Sequence, residues 1–213
     1  MMFADIDKGF QIAFEQGWIA YRKGNVPIGA AIMAPDGSMA ATGQNQIFAA
    51  GDGKVSLHGI AHAEINAILK LSAITDPCLH ENIRSYTLYS TMEPCPACFG
   101  AIVMGNIRHL KFAARDRFAG ATAMNDSIAY IRNKKINVEG PFEVMEAVHI
   151  AMQTCYELER QTHAEVLLDS WSQACMEGVE IGVRLHETGA LHEMRNSGIA
   201  HVYDAIAGML RAL

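Results

Sequence analysis

In the first twenty or so residues the large apolar side chains recur at Phe10, Phe14, Trp18 and Tyr21. Steps of four, four and three residues form a single stripe on an α-helix, and Gly24-Asn25 marks its end. Such an aromatic stripe reads as core. Two short apolar runs follow, over 28–34 and 39–43, joined by Pro35-Asp36-Gly37-Ser38. Runs of that length around an Asp-Gly turn predict a β-hairpin. Residues 46–59 show little periodicity and read as a loop. From 61 to 71 the apolar positions Ile65, Ile68, Leu69 and Leu71 return to helical spacing, with His62 placed in the first turn. Residues 86–91 alternate and carry Thr, Leu and Tyr, which suits a strand. Glu93-Pro94 stops it, and Pro96 fits the first turn of a helix through 99–104.

Residues 107–113 predict another strand, 121–131 a helix, and 136–138 a segment too short to assign. Strands alternating with helices make an α/β unit with a mixed sheet. Beyond Gly140-Pro141 the pattern turns helical, over 142–158, 164–183 and 199–213, with turns at Thr188-Gly189 and Asn196-Ser197-Gly198. This predicts two parts: an α/β domain over 1–140 and an all-helical extension over 141–213, packed on the core or on a partner subunit and able to close over the active site.

Charge divides at the same place. Residues 1–140 carry a net charge of +1 and residues 141–213 a net charge of −7. An acidic appendage opposes grip on a polynucleotide, whose phosphates must be neutralised by Lys and Arg. The basic clusters, Arg108, Lys111, Arg115 and Arg117 with Arg132, Lys134 and Lys135, read first as a solvated face, though they could meet a phosphate backbone. No apolar run approaches the roughly 18 residues that span a bilayer. Met1-Met2-Phe3-Ala4-Asp5 places an acid where a signal peptide is basic. A soluble cytoplasmic protein without membrane contact is the expectation. The chain has 5 cysteines; Cys78, Cys155 and Cys175 share no spacing, which predicts buried thiols rather than a disulfide framework.

The remaining two cysteines carry the chemistry. His62-Ala63-Glu64 is followed some thirty residues later by Pro94-Cys95-Pro96-Ala97-Cys98. His62, Cys95 and Cys98 are nitrogen and sulfur donors suited to zinc, and three protein ligands leave a tetrahedral ion one open position. Water held there ionises near pH 7 and becomes a nucleophile. Glu64, two residues from a ligand and not itself one, can shuttle the proton. A lone Cys-x-x-Cys would equally suit a redox or structural site. The added His-x-Glu is what favours catalysis. His163-Ala164-Glu165 repeats the first half without a downstream Pro-Cys-x-x-Cys, and with Leu158, Val166 and Leu167 around it reads as part of an ordinary helix; His186-Glu187 and His192-Glu193 lack the second His at i+4 that a zinc protease helix requires.

His-x-Glu with Pro-Cys-x-x-Cys is the pattern of zinc deaminases that act on nucleobases. Further stretches agree: Val26-Pro27-Ile28-Gly29-Ala30-Ala31, Gly43-Gln44-Asn45, the run through Ile65-Asn66-Ala67-Ile68, Thr91-Met92-Glu93-Pro94-Cys95, and Ala114-Arg115-Asp116 with Ala119-Gly120-Ala121. Over about residues 1–140 the chain resembles the cytidine deaminase superfamily, nearest the branch with tRNA adenosine deaminases and bacterial guanine and cytosine deaminases. The resemblance implies a three-layer α/β/α fold on a mixed sheet of about five strands, a Zn2+ cofactor and a homodimer or larger assembly. It also implies substrate contacts at Asn45 and Ala63; for Asn45 a turn role is the plainer alternative. The implied activity is hydrolytic deamination of a free nucleobase or nucleoside, guanine-, aminopurine- or cytosine-like, with tRNA adenosine as the alternative substrate. A deaminase fold retained only for binding would be expected to lose the acid or a ligand, and all four positions are intact.

Overall fold

The aromatic stripe is a helix, and its apolar face is buried. The computed structural model describes residues 1–73, 82–161 and 164–211; Cys78 and His163 lie outside them. Helix α1 (Lys8–Arg22) buries Phe10, Phe14, Trp18 and Tyr21, and the chain leaves it through Gly24 at φ +81°. Strands β1 (Gly29–Met33) and β2 (Met39–Gln44) form the hairpin, with Gly37 at φ +82° in its turn and Asp36 accepting the Ser38 backbone N–H. Helix α2 (Ala63–Ser72) begins two residues later than expected, so His62 caps it in an extended conformation. Then come β3 (Thr87–Met92), α3 (Pro96–Met104), β4 (His109–Ala114) and β5 (Asn137–Glu139).

The five strands make one sheet in the order β2-β1-β3-β4-β5. β1 runs antiparallel to β2 and β3, while β3, β4 and β5 are mutually parallel. Alternation along β1 divides the core. Ala30 and Ile32 face α2 and α3, joining Leu88, Phe99, Ile102 and Leu110, whereas Ala31 and Met33 face α1. The second face is covered by α1 together with α5 (Glu143–Arg160), and α7 (Met176–Thr188) and α9 (Ile199–Leu210) pack against α5. Phe10, Phe14 and Trp18 pack there with Val148, Met152, Leu185, Val202 and Tyr203. The result is a three-layer α/β/α fold around a mixed five-stranded sheet, followed by C-terminal helices. Among the described residues no helix is long and apolar enough to cross a membrane.

Two elements differ from expectation. The helix predicted over 121–131 is a 3-10 turn (Thr122–Asp126) and a four-residue helix α4 (Ala129–Arg132). Asn125 donates from Nδ2 to the Ile136 carbonyl and Ser127 from Oγ to the Met124 carbonyl, local bonds that compete with a continuous helix. The helix predicted over 164–183 breaks at Cys175 into α6 (Ala164–Ser172) and α7. The break re-aims the chain so that α7 lies tightly on α5: a Cβ at Gly182 would sit 2.4 Å from Thr154 Cβ. A short helix α8 (Ala190–Glu193) follows the Gly189 turn.

One close approach matters for the site. A Cβ on Gly43 would lie 1.9 Å from the Ala63 carbonyl oxygen and 2.6 Å from the Ala67 nitrogen, so only glycine lets β2 meet the first turn of α2. Gly43→Ala is expected to lower stability by about 1–3 kcal/mol, the usual range for overpacking. Because it displaces the start of α2, zinc content should fall along with the melting temperature. A variant with both unchanged would contradict this packing.

His149, on α5, is fully buried with neither ring nitrogen partnered, and burial pushes its pKa down to about 3. Between that value and the ordinary 6.5 the unfolded chain binds a proton that the folded chain does not. Stability therefore falls as pH drops below 6.5, by about 2 kcal/mol at pH 5. His149→Phe should flatten that acid limb when urea midpoints at pH 7 and pH 5 are compared, and an identical acid loss in the variant would contradict it.

Candidate active site

The carboxyl end of β3 and the N-termini of α2 and α3 converge on one point. His62 occupies the N-cap of α2, Cys95 the N-cap of α3, and Cys98 lies in the first turn of α3, where Pro96 starts the helix. A buried bond network holds the approach to α2. Asn66 donates from Nδ2 to the carbonyls of Gln44 and Val55 and accepts the Val55 N–H, while Asn25 accepts the N–H groups of Phe48 and Ala49. These bonds fix the loop over 46–60 against the sheet edge.

His62 Nδ1 lies 3.4 Å from Cys95 Sγ and 3.3 Å from Cys98 Sγ. All three donor atoms fall within 4.8 Å of one another. A tetrahedral zinc at roughly 2.0–2.1 Å from nitrogen and 2.3 Å from sulfur requires about 3.5 Å between them. The donor set fits the ion in spacing and in chemistry. Glu64 is 3% exposed; its Oε2 lies 3.3 Å from Cys98 Sγ, and its Oε1 accepts the Ser90 hydroxyl at 3.0 Å.

The electrostatics follow from this crowding. Hydrogen bonds from Cys98 and His62 pull the Cys95 thiol down to about 4, against the effect of burial. Its sulfur, together with the Glu64 carboxylate, raises the His62 imidazole. Cys98 moves up because it donates to Cys95 and is buried. Burial raises the Glu64 carboxyl despite His62 beside it. A carboxyl raised above its ordinary range holds a proton more readily than a free one, as a group that takes and returns a proton must.

Beside this group lies a cavity of about 180 Å³, lined among others by Val26, Ile28, Asn45, His62, Glu64, Met92, Glu93 and Asp116. It is smaller than the roughly 300–1,000 Å³ of drug-sized pockets and suits one small planar molecule. A larger cavity of about 510 Å³ lies among the C-terminal helices, between Glu143, Glu146, Cys175 and Arg211. It holds none of the His62, Cys95 and Cys98 donors.

Asn45 sits in the small cavity. Its Oδ1 accepts the Ile47 N–H at 3.2 Å, the turn role weighed for it, and among the described residues its Nδ2 has no acceptor. Ala63 is fully buried against Gly43 and does not line the cavity. Among the other lining residues, Glu93, Met92 and Asp116 appeared in the sequence only as parts of motifs, without a role of their own. Glu93 is the hub of the loop after β4: its Oε2 accepts from Arg115 Nη1 and the Asp116 N–H, both at 3.3 Å, and its Oε1 from the Thr122 N–H and hydroxyl. Its place before Pro94-Cys95 was the available signal. Met92 closes one wall, and Asp116 the rim.

A sequence profile described as the cytidine and deoxycytidylate deaminase zinc-binding region matches residues 4–114. The chain belongs to this family. It is therefore a zinc-dependent deaminase. Among its relatives, Candida albicans cytosine deaminase is 25% identical over 158 residues, 74% of this chain and 88% of that protein. A tRNA-specific adenosine deaminase of Streptococcus pyogenes is 30% identical over 156 residues, 71% of this chain and 89% of that one. Bacillus subtilis guanine deaminase is 33% identical over 109 residues, 49% of this chain and 60% of that enzyme. The solved structure of guanine deaminase from Nitrosomonas europaea shares the fold, with a TM-score of 0.51 at 20% identity over 68% of this chain and 81% of that one. The relatives carry three substrate names.

Proposed function

We propose that this deaminase hydrolyses the exocyclic amino group of a free nucleobase or nucleoside, guanine-, aminopurine- or cytosine-like, releasing ammonia. The observation that carries the reading is the small cavity in which Asn45 and Glu64 meet His62 and Cys95. His62, Cys95 and Cys98 are the residues that would hold zinc. Bound there, zinc supplies a site that acidifies a water molecule at neutral pH.

Glu64 takes the proton from that water and delivers it to the ring nitrogen next to the carbon under attack. It then takes the remaining proton from the oxygen now bonded to that carbon and passes it to the departing amine; the C–N bond breaks, ammonia leaves, and the carbon keeps the oxygen as a carbonyl. Ser90, donating to Glu64 Oε1, keeps Oε2 on the side of Cys98. The Asn45 Nδ2 group offers a donor to a ring nitrogen or oxygen. Ala63, buried behind the cavity wall, serves by holding His62 and Glu64 on either side of it at the start of α2. Ile28 and Met92 supply apolar walls for a flat ring. The homodimer implied by the resemblance belongs to the same reading.

A tRNA substrate is the second reading, favoured by the Streptococcus pyogenes relative. The basic cluster weakens it: Lys111 pairs with Asp7 and Glu139, and Arg115 with Glu93. The deciding experiment compares ammonia release by zinc-loaded protein from free bases, nucleosides and tRNA. Highest kcat/KM on a free base or nucleoside, without salt-sensitive tRNA binding, is the expected result. Release from tRNA alone, with affinity falling steeply with salt, would replace it with the second reading.

A further inference from the structure

The acidic C-terminal region reaches the active site. Helix α6 carries Trp171, only 3% exposed, whose indole Nε1–H donates to Asp116 Oδ1 at 3.3 Å. The same oxygen accepts the Phe118 backbone N–H at 3.0 Å. Trp171 shares an apolar cluster with Met92, Ala114 and Ile28, and two of these, Ile28 and Met92, also line the cavity. Trp171 thus backs the cavity wall and holds one of its carboxylates. It lies well beyond the residues 4–114 matched by the family profile.

Three carboxylates line the cavity: Glu64, Glu93 and Asp116. Glu64 is committed to the proton transfers. Glu93 is taken up by Arg115, Thr122 and the Asp116 N–H. Asp116 receives the donors of Phe118 and Trp171 on Oδ1 and is also held by the Ala119 backbone N–H; with two lone pairs on each oxygen the carboxylate can still accept from an incoming group. An ionised carboxylate accepts hydrogen bonds and donates none, so its complement is an N–H group, which amino-bearing heterocycles present on their ring or amine.

We propose that Trp171 is a positioning residue, holding Asp116 by the indole N–H so that its carboxylate accepts an N–H of the bound heterocycle. The C-terminal helices then take part in choosing the substrate. This inference rests on the deaminase reading above and adds to it the group that selects for an N–H-bearing face.

Trp171→Phe keeps an aromatic ring in the wall and removes the donor together with part of the indole's volume, so the comparison with the Asp116→Asn background is what isolates the bond. Expected is a rise in KM of about three- to tenfold with kcat within about twofold, part of the effect of a hydrogen bond to a charged group. Zinc content should stay unchanged. In an Asp116→Asn background the same substitution should add nothing further. Wild-type kinetics in Trp171→Phe, or an equal loss in both backgrounds, would overturn the proposal.

A second readout does not need turnover. The chain has 2 tryptophans, and the Trp18 indole donates to the Ser197 carbonyl at 2.9 Å, away from the cavity. In 15N-labelled, zinc-loaded Glu64→Gln protein titrated with a free base, the Trp171 indole resonance should shift while that of Trp18 stays fixed. A Trp171 resonance unmoved at saturating base would overturn the proposal even if the variant's melting behaviour complicated its kinetics. Failure of the underlying reading looks different: zinc-loaded wild type would then release no ammonia from, and bind, none of the bases or nucleosides, and the inference would fall with it.

Discussion

Glu64→Gln is expected to lower ammonia release by about 10³–10⁴-fold while the protein still binds one zinc per chain, the upper range for loss of a positioned acid-base group. The side chain keeps its size and can still accept the Ser90 hydroxyl, observed at 3.0 Å. What it loses is the ability to carry a proton. A carboxylate at a helix start can also serve the helix dipole, and Glu64 is the acidic residue in the first turn of α2. The two roles separate cleanly. A dipole role predicts a shift in melting temperature with activity kept, and a proton-carrying role predicts the reverse. Measured as kcat under saturating substrate together with metal content, a variant retaining more than a few per cent of activity would remove Glu64 from the reaction.

Cys95→Ala carries the second large expectation. Removing one of three ligands leaves an imidazole and a single thiol to hold the ion, and a group that must be deprotonated to bind loses its neighbour's support. Zinc affinity should fall by at least about a hundredfold, beyond the 10–100-fold typical of losing a residue behind the ligands. Ammonia release should fall with it and recover partly in excess zinc. Cys155 and Cys175 give the contrast. Burial pushes their thiols up to about 12 and about 11, they lie in apolar clusters, and neither belongs to the metal-capable group. Replacing Cys155 by Ala should leave zinc content unchanged. Loss of zinc there and not at Cys95 would move the metal site elsewhere.

What could be seen in the sequence was local. The aromatic stripe of α1, the Asp36-Gly37 hairpin and the Pro96 helix start each depend on residues a few positions apart, and the structure has them. His62, Glu64, Cys95 and Cys98 were visible as a pattern because the metal chemistry constrains spacing, and the folded chain brings them to one place. Features set by distant contacts were not visible. The break at Cys175 follows from α7 lying against Thr154 of α5, which no helical period encodes. The continuous helix expected over 121–131 gave way in part to a bond from Asn125 that depends on where Ile136 lies. Glu93 looked like part of a motif, yet its partners Arg115 and Thr122 come from a loop beyond β4. The bond from Trp171 to Asp116 spans 55 residues and joins the acidic C-terminal region to the cavity.

The central claim is that this fold releases ammonia from a small aminated ring through a zinc site built by His62, Cys95 and Cys98. It is tested most directly by one titration: protein stripped with a chelator, reloaded with zinc in steps, and assayed at each step for ammonia from a free base such as guanine or cytosine and from nucleosides. The account predicts no release from stripped protein and a linear return that reaches its plateau at one zinc per chain. Release by the stripped protein, or none from any of these substrates at full zinc occupancy, would contradict it.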